Sequence, residues 1–520
     1  MSGIFGTMNI ANSGLQAMQS AVNTTSNNIS NAQTEGYSRK RVDLVTNTPQ
    51  HLVGIGEIST GVKIEGVTRI RDVFTDRQVR LETGRFNTFE SQNGVYDRLE
   101  IIFNEPSETG ISDAMQEMWN AWQELSKTPE SITARTIVVE QSTTMADRFS
   151  HTASQLQDLK SETLFQVSQN TFEINTKLEQ LTAVDEQIKA AVTREMVPND
   201  LMDQRDLLLD QLSAFVTFSK TDLADGGIQL SVGGQPVMGK NIATPSFSTV
   251  QSVETFEGEG GMPWVKVAVA MKGDVNTIEI LEAPLSDGID LNTWKVGSMI
   301  VPSAKTAENP TGFTVVKTGD GSVNGLQSML SEVDDYTEKI DALASGMAAL
   351  INKVHSNDGE GMAFFVGQAD GQITAASIRV NSDLRDKPEL IAAGKSGAAD
   401  APIGDGSRAL AIAALRDVSL NAADYDAATM TFKTTTGDTA DARYRATIAG
   451  LGVDAAYSRT MADNETSLLN QLHQRRESVM GVSIDEEISA LVKFQTGYQA
   501  NARVMTTLTS MLDTLINMVR

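Results

Sequence analysis

Residues 1–34, MSGIFGTMNIANSGLQAMQSAVNTTSNNISNAQT, contain no Asp, Glu, Lys, Arg or His. Within them Phe5, Met8, Ala11, Leu15, Met18, Val22 and Ile29 recur in steps of three and four, with Thr25 filling one slot. An apolar repeat near 3.5 residues predicts a helix whose seam another helix must cover. Its counterpart stands at the other end, where Ile484, Ile488, Leu491, Phe494, Tyr498, Met505, Leu508, Leu512, Leu515 and Val519 keep the same rhythm. Fifteen of the first 34 residues are Ser, Thr or Asn, and Gly3, Gly6 and Gly14 lie among them. Intrinsic helix propensity is therefore poor, and the first helix alone is marginal in water. Its burial on the C-terminal seam offsets only part of the ordering cost. The expectation is that both ends are mobile in a single molecule and pair on assembly, where uncharged flanks allow packing on several sides, as in the wall of a tube.

Between the ends the chain runs out and back. After Gly36-Tyr37, β-branched residues and glycines predict short strands up to Thr68. Phe74, Leu81, Phe89, Tyr96, Leu99 and Phe103 mark one helix, and Ile111 to Leu125 a second, broken at Thr128-Pro129. From Ile132 to Met196 there is neither Pro nor Gly, which predicts one rod of roughly 100 Å. Pro198 ends it, and Asn199 or Asp200 is the expected N-cap of the next helix. From Phe215 to Val323 alternating runs such as Ile228-Gln229-Leu230-Ser231-Val232 predict β hairpins. Helical period returns from Leu326 to Val354 and again from Ala440, where Tyr444, Ile448, Leu451, Ala455, Leu468, Leu472 and Val479 share a face; it pauses at Gly481.

The predicted fold class is α+β and multidomain: a long helical bundle or coiled-coil core made from both chain ends, with inserted mainly-β modules at its far end. The predicted divisions are 1–70 with 482–520 (terminal helices, the inner tube), 71–215 with 325–355 and 440–481 (helical rod), 216–324 (β domain) and 356–439 (smaller mixed insertion).

Composition narrows the function. Across 520 residues the formal charge is -25, and Arg39, Lys40 and Arg41 form only a small basic cluster. Nucleic-acid and anionic-membrane binding need a broader basic footprint. With no cysteine there is no disulfide, thiol nucleophile or Cys-ligated metal. The start shows no cleaved secretory signal, and no run reaches the ~20 apolar residues of a membrane span. His51, His151, His355 and His473 are scattered, with no metal-ligand spacing. No phosphate loop, nucleophile elbow or dinucleotide fingerprint occurs. Asp203-Gln204-Arg205-Asp206 and Asp485-Glu486-Glu487 are the densest polar clusters, read as charges near helix starts on a solvated or inter-helix face. No catalytic residue, cofactor or metal is expected.

Asn27-Asn28-Ile29-Ser30-Asn31 followed by Thr34, Gly36 and Tyr37, with Tyr498-Gln499-Ala500-Asn501-Ala502 and Leu512-Asp513-Thr514-Leu515-Ile516-Asn517, resembles the paired end signatures of the bacterial flagellar rod, hook and hook-associated axial proteins. Pro198 to Asp206, Thr128-Pro129 with Ala134-Arg135-Thr136, and Gly481 to Glu487 are similar to the hook-associated branch that joins hook to filament. The resemblance covers about the first 215 residues, the helix near 325–355 and the last 60 or so; it does not reach the insertions. It implies a non-enzymatic structural subunit, exported without cleavage by the flagellar type III apparatus, forming a ring at the hook tip. Implied partners are further copies of itself, the hook protein, a second junction protein on the filament side, and a cytoplasmic chaperone on the C-terminal helices. The expected assembly residues are Leu15, Met18, Val22, Ile29, Leu491, Tyr498, Leu508, Leu512 and Leu515. Asn27, Asn28, Gly36 and Tyr37 are expected to set the turn out of the first helix. A hook or distal rod protein is the nearest alternative; a secreted adhesin is the alternative of another class.

Overall fold

The computed structural model describes every residue except 1–3, 53–55, 241–245, 258–262, 285–290, 292, 307–310, 369–370, 396–403, 433–436 and 519–520, so Val519 lies outside the described residues. Helix α1 (Ile4–Ser30) is followed by an antiparallel pair, β1 (Lys40–Thr46) and β4 (Val62–Arg69). A short hairpin of β2 (Gln50–Leu52) and β3 (Gly56–Ile58) lies between those two strands in the chain. Helix α2 (Val73–Phe103) opens on Asp72, whose carboxylate accepts from the Phe74 amide at 3.0 Å, and closes on Asn104 in the left-handed region.

Helices α3 (Ile111–Lys127), α4 (Ile132–Val192), α5 (Asn199–Ser213) and α6 (Ser322–His355) come next. In α4 the absence of helix breakers and the Ser131 cap, which accepts from the Ala134 amide at 3.2 Å, give 61 continuous residues. Its buried positions Leu156, Leu159, Thr163, Val167, Thr171, Ile174, Leu178, Leu181, Asp185 and Ile188 advance 32 residues in nine steps, about 3.6 per step. The segment between 356 and 439 carries α7 (Ser382–Asp386) and α8 (Ser407–Ala413), and the chain returns through α9 (Ala440–Met480) and α10 (Ile484–Met518). One apolar core runs along α2, α3, α4, α6 and α9 and continues into the small sheet and the mixed segment.

The segment after α5 forms two antiparallel sheets. The first is β5 (Phe218–Asp222), β6 (Ile228–Val232) and β7 (Gln235–Met238) in that order. The second has the order β10-β9-β8-β11-β12, from β8 (Ser248–Glu257), β9 (Pro263–Ala270), β10 (Ile278–Pro284), β11 (Met299–Pro302) and β12 (Phe313–Val315). Alternation puts Val265, Val267, Val269, Leu281 and Ala283 on one face, where with Val250, Trp294 and Ile300 they form a core separate from the rod.

Several sequence expectations change here. The large sheet hangs beside the middle of the rod, not at its far end: the Ser322 amide donates to Ala214 O at 2.9 Å, and Gly321 N to Thr88 Oγ1 at 2.8 Å, so the insertion leaves and returns at the height of Thr88. Pro198, without a side-chain donor or acceptor, holds the N-cap of α5; Asn199 instead donates to Val67 O at 2.7 Å, and Asp200 pairs with Lys40. In α2, Phe74 and Leu81 face solvent, and Thr75, Val79, Val95 and Tyr96 are buried beside Leu99 and Phe103. In α9, Tyr444, Leu451 and Ala455 are buried as expected, but farther along Leu468 and Val479 point outward while Leu469 and Met480 are buried, a one-residue rotation confined to the C-terminal half of the stripe.

Candidate assembly surface and the joint beneath it

Helices α1 and α10 pack antiparallel. A Cβ on Gly14 would stand 2.9 Å from the Asn501 side chain, and one on Gly497 2.9 Å from Met18 Sδ, so the two backbones approach closely. The buried face of α1 is therefore its small and polar stripe, Ala11, Gly14, Ala17, Ala21, Thr25 and Asn28. Leu15, Met18, Val22 and Ile29, expected at the centre of the seam, are half-buried along its flanks. On α10 the structure buries Leu508 and Glu487, leaves Leu491 and Leu512 half-buried, and exposes Tyr498 and Leu515. Close approach excludes large side chains from the contact line, so they are displaced to both sides. Phe5 on α1, and Ile488, Val492, Met511 and Ile516 on α10, are exposed as well. A single chain thus pairs its ends and still presents a wide apolar surface outward.

The turn out of α1 is organised by Asn28. Its Nδ2 donates to Lys40 O at 2.9 Å and to Glu487 Oε2 at 3.0 Å; its Oδ1 accepts from the Lys40 amide at 3.0 Å and from the Tyr37 hydroxyl at 2.9 Å. Two donors and two acceptors are all used, which Asp could not match for lack of a donor. Glu487, only 3% exposed, is neutralised by Arg39 Nε at 2.7 Å, and the Arg39 amide donates to Met480 O. Burial, with the Asp200, Asp203 and Glu487 carboxylates nearby, pushes the Tyr37 hydroxyl up to about 12, so it remains a donor. Gly36 has φ +77°, and a Cβ there would crowd Leu207 at 3.0 Å. Asn27 is exposed; its carbonyl accepts from the Asn31 side chain at 3.0 Å.

Below this turn lies an ion cluster that joins the terminal pair to the rod. Asp203, Asp206 and Asp210 share one face of α5. Asp203 meets Arg69 at 2.8 Å; Asp206 meets Arg69 at 3.0 Å, Arg71 at 3.1 Å and Arg80 at 3.4 Å; Asp210 meets Arg80 at 2.6 Å and Arg476 at 2.8 Å. Arg71 also binds Asp76 at 2.8 Å. Four arginines from β4, α2, α9 and the β4–α2 link thus face four aspartates. Burial alone would push the Asp206 carboxyl up, but Arg71, Arg69 and Arg80 together outweigh it and hold it below its usual range. Asp203, Arg205 and Asp206 are consequently buried between helices and not solvated; Arg205 meets Asp185 at 3.2 Å. Spacing of i, i+3, i+7 was the available signal in α5; the arginines, scattered over 400 residues, carried none.

A cleft of about 690 Å³ opens beside the cluster, between residues 32–37 and the end of α9. Its lining mixes Glu35, Arg71, Asp210, Arg476 and Glu486 with backbone, and nothing in it resembles a nucleophile paired with a base. Among the described residues no group of His, Asp and Glu is placed to hold a metal ion, and no helix is long and apolar enough to cross a membrane.

Sequence similarity to known proteins extends along the whole chain. Residues 96–281 match the model of the flagellar hook-associated protein FlgK helical domain, residues 8–37 that of the flagella basal body rod protein, and residues 473–518 that of the flagellar basal body rod FlgEFG protein C-terminal region. The chain is 28% identical to flagellar hook-associated protein 1 of Bacillus subtilis (strain 168) over 99% of both chains. It is 24% identical to flagellar hook-associated protein 1 of Escherichia coli (strain K12), over 98% of this chain and 99% of that one. The solved flagellar hook junction protein FlgK from Burkholderia pseudomallei aligns with a TM-score of 0.38 at 17% identity, over 57% of this chain and 45% of that one. With end signatures and helical rod matched in one order, this chain is similar along its whole length to flagellar hook-associated protein 1, an axial structural protein of the flagellum.

Proposed function

We propose that this chain is the adaptor that seats on the hook tip and carries the filament, a ring subunit whose terminal layer (1–70 with 482–520) lines an inner tube. The rod (71–215, 325–355, 440–481) stands outside that layer, and the insertions 216–324 and 356–439 project from it. The observation that carries the reading is the α1–α10 pair: closed against itself through small residues, it turns apolar side chains of α10 outward beside an N-terminal helix without a charged side chain. Such a surface is stable in water only when neighbours cover it. Neighbouring copies cover it laterally, the hook protein contacts one end and a second junction protein the other. Before export through the flagellar type III apparatus, a chaperone masks the C-terminal helices in the cytoplasm, and the assembled subunit lies outside the cell. Its work is structural.

Leu508→Asp tests this directly. Leu508 is the one large apolar side chain buried on α10, and a carboxylate there costs about 3–5 kcal/mol through lost burial and an unpaired charge. The variant should keep the β sheets of the 216–324 insertion, whose cores contain no α10 residue, and vanish from immunogold-labelled hook tips, leaving bare hooks and filament monomers in the medium. Normal filaments would refute the assignment, and intact flagella in a strain lacking the chain would favour an adhesin.

A further inference from the structure

Away from the terminal helices, the rod has a groove on one side and a ridge on the other. Helices α2 and α4 leave between them an open groove of about 640 Å³, with Ser91, Gly94 and Arg98 on one wall, Glu162 and Phe165 on the other, and Leu326 of α6 at its floor. Helix α9 covers the α2–α6 seam with Leu451, Ala455 and Ser458; its far face exposes Val453 (68%), and its flank beside Phe89 exposes Tyr457 (61%), among the small residues Ala449, Gly452 and Ala456. Ser458 Oγ donates to Phe89 O at 3.3 Å, and the Tyr457 ring meets Phe89 edge-on at 6.4 Å. Ridge and groove therefore stand at the same height on different sides of α2.

Two further observations bear on their fit to each other. A Cβ on Gly94 or on Gly452 would meet no atom within 4 Å, and neither glycine has a left-handed backbone. Nothing inside the subunit explains glycine in the middle of two helices, where alanine is more favourable; close approach of another helix does. Charge does not oppose the fit: Arg445 on α9 is paired with Asp441 at 3.8 Å, and Arg98 and Glu162 pair with each other at 3.9 Å across the groove rim, so neither surface presents a lone charge from these pairs to the other. Because the two surfaces point in different directions, they make a head-to-tail contact, the kind that closes into a ring or winds into a helix.

We propose that the α9 ridge of one copy seats in the α2–α4 groove of the next, forming the lateral contact of the rod layer; this rests on the reading of the chain as an axial subunit. The chain's lack of cysteine makes the test clean. In isolated hook-filament junctions, mild oxidation of the Ser91→Cys/Val453→Cys double variant should yield a ladder of covalent multimers, and each single variant should yield none. An incorporated double variant that gives no ladder would overturn the contact. Absence of the wild-type chain from the junctions would instead overturn the functional reading, and the contact with it. Gly94→Leu supplies an independent readout: the purified monomer should melt no lower than wild type, while filaments per cell fall about tenfold. Wild-type filament numbers in that variant would count against the groove.

Discussion

Asp206→Ala is expected to destabilise the joint between terminal helices and rod by about 3–5 kcal/mol, the cost of leaving a buried ion cluster with one uncompensated positive charge. Asp206 is 6% exposed and bonded to Arg69, Arg71 and Arg80. Removing it leaves Arg69 with Asp203, Arg71 with Asp76 and Arg80 with Asp210, in a cluster that then carries one excess positive charge. Because the folded-state carboxyl titrates below its ordinary value, its contribution is complete above about pH 4 and is lost as pH falls through the lower, folded value. Urea unfolding followed by far-ultraviolet circular dichroism measures the loss at neutral pH. A variant within about 1 kcal/mol of wild type, the size of an exposed pair, would show that the cluster behaves as hydrated surface.

Acid is expected to loosen the far end of the rod through His355. This side chain is 3% exposed, packed edge-on against Trp122 and Phe364, and bonded at both nitrogens: Nε2 accepts from the Ala392 amide at 3.1 Å, so Nδ1 carries the proton and donates to Met362 O at 2.8 Å. Protonation would set an N–H against an N–H and add a charge near the Arg408 guanidinium, which bonds Val354 O, His355 O, Gly394 O and Lys395 O. Burial, assisted by Arg408, pulls the imidazole down from 6.5 to about 4. A lowered histidine value means the folded state binds fewer protons, so its contribution is full above pH 6.5 and decays between 6.5 and 4, by about 3 kcal/mol in all. The stability gap between wild type and His355→Gln should shrink by that amount from pH 7 to pH 4, with the Ala392 amide losing exchange protection. A gap independent of pH would refute the assignment.

The sequence was most legible where a regular period meets an uninterrupted run. The long Gly- and Pro-free stretch of α4 and the restart after Gly481 follow from local backbone chemistry, which needs no knowledge of neighbours, although α4 stops at Val192, before the expected break at Pro198, which instead caps α5. Asn28 was marked by its motif, but its role as a four-bond hub depends on Glu487, hundreds of residues away. The seam residues show the opposite case. Leu15 and Met18 look like the core of a helix pair by hydrophobicity, yet Gly14, Ala17 and Ala21 occupy it, because the partner's Asn501 and Gly497 let the axes approach. Hydrophobicity ranks side chains by their aversion to water; it does not say how near the opposing backbone will come.

By itself, then, the amino-acid order determined the helices, the reversal of the chain, the β character of residues 216–324 and the absence of charge at the N-terminal end, since each depends on side chains a few positions apart. Tertiary structure alone decided which face of α1 meets α10, that Asp203 and Asp206 are buried among arginines drawn from distant segments, and that the large sheet stands beside the rod. Those outcomes depend on distances between segments remote in the chain, and no local pattern encodes such a distance.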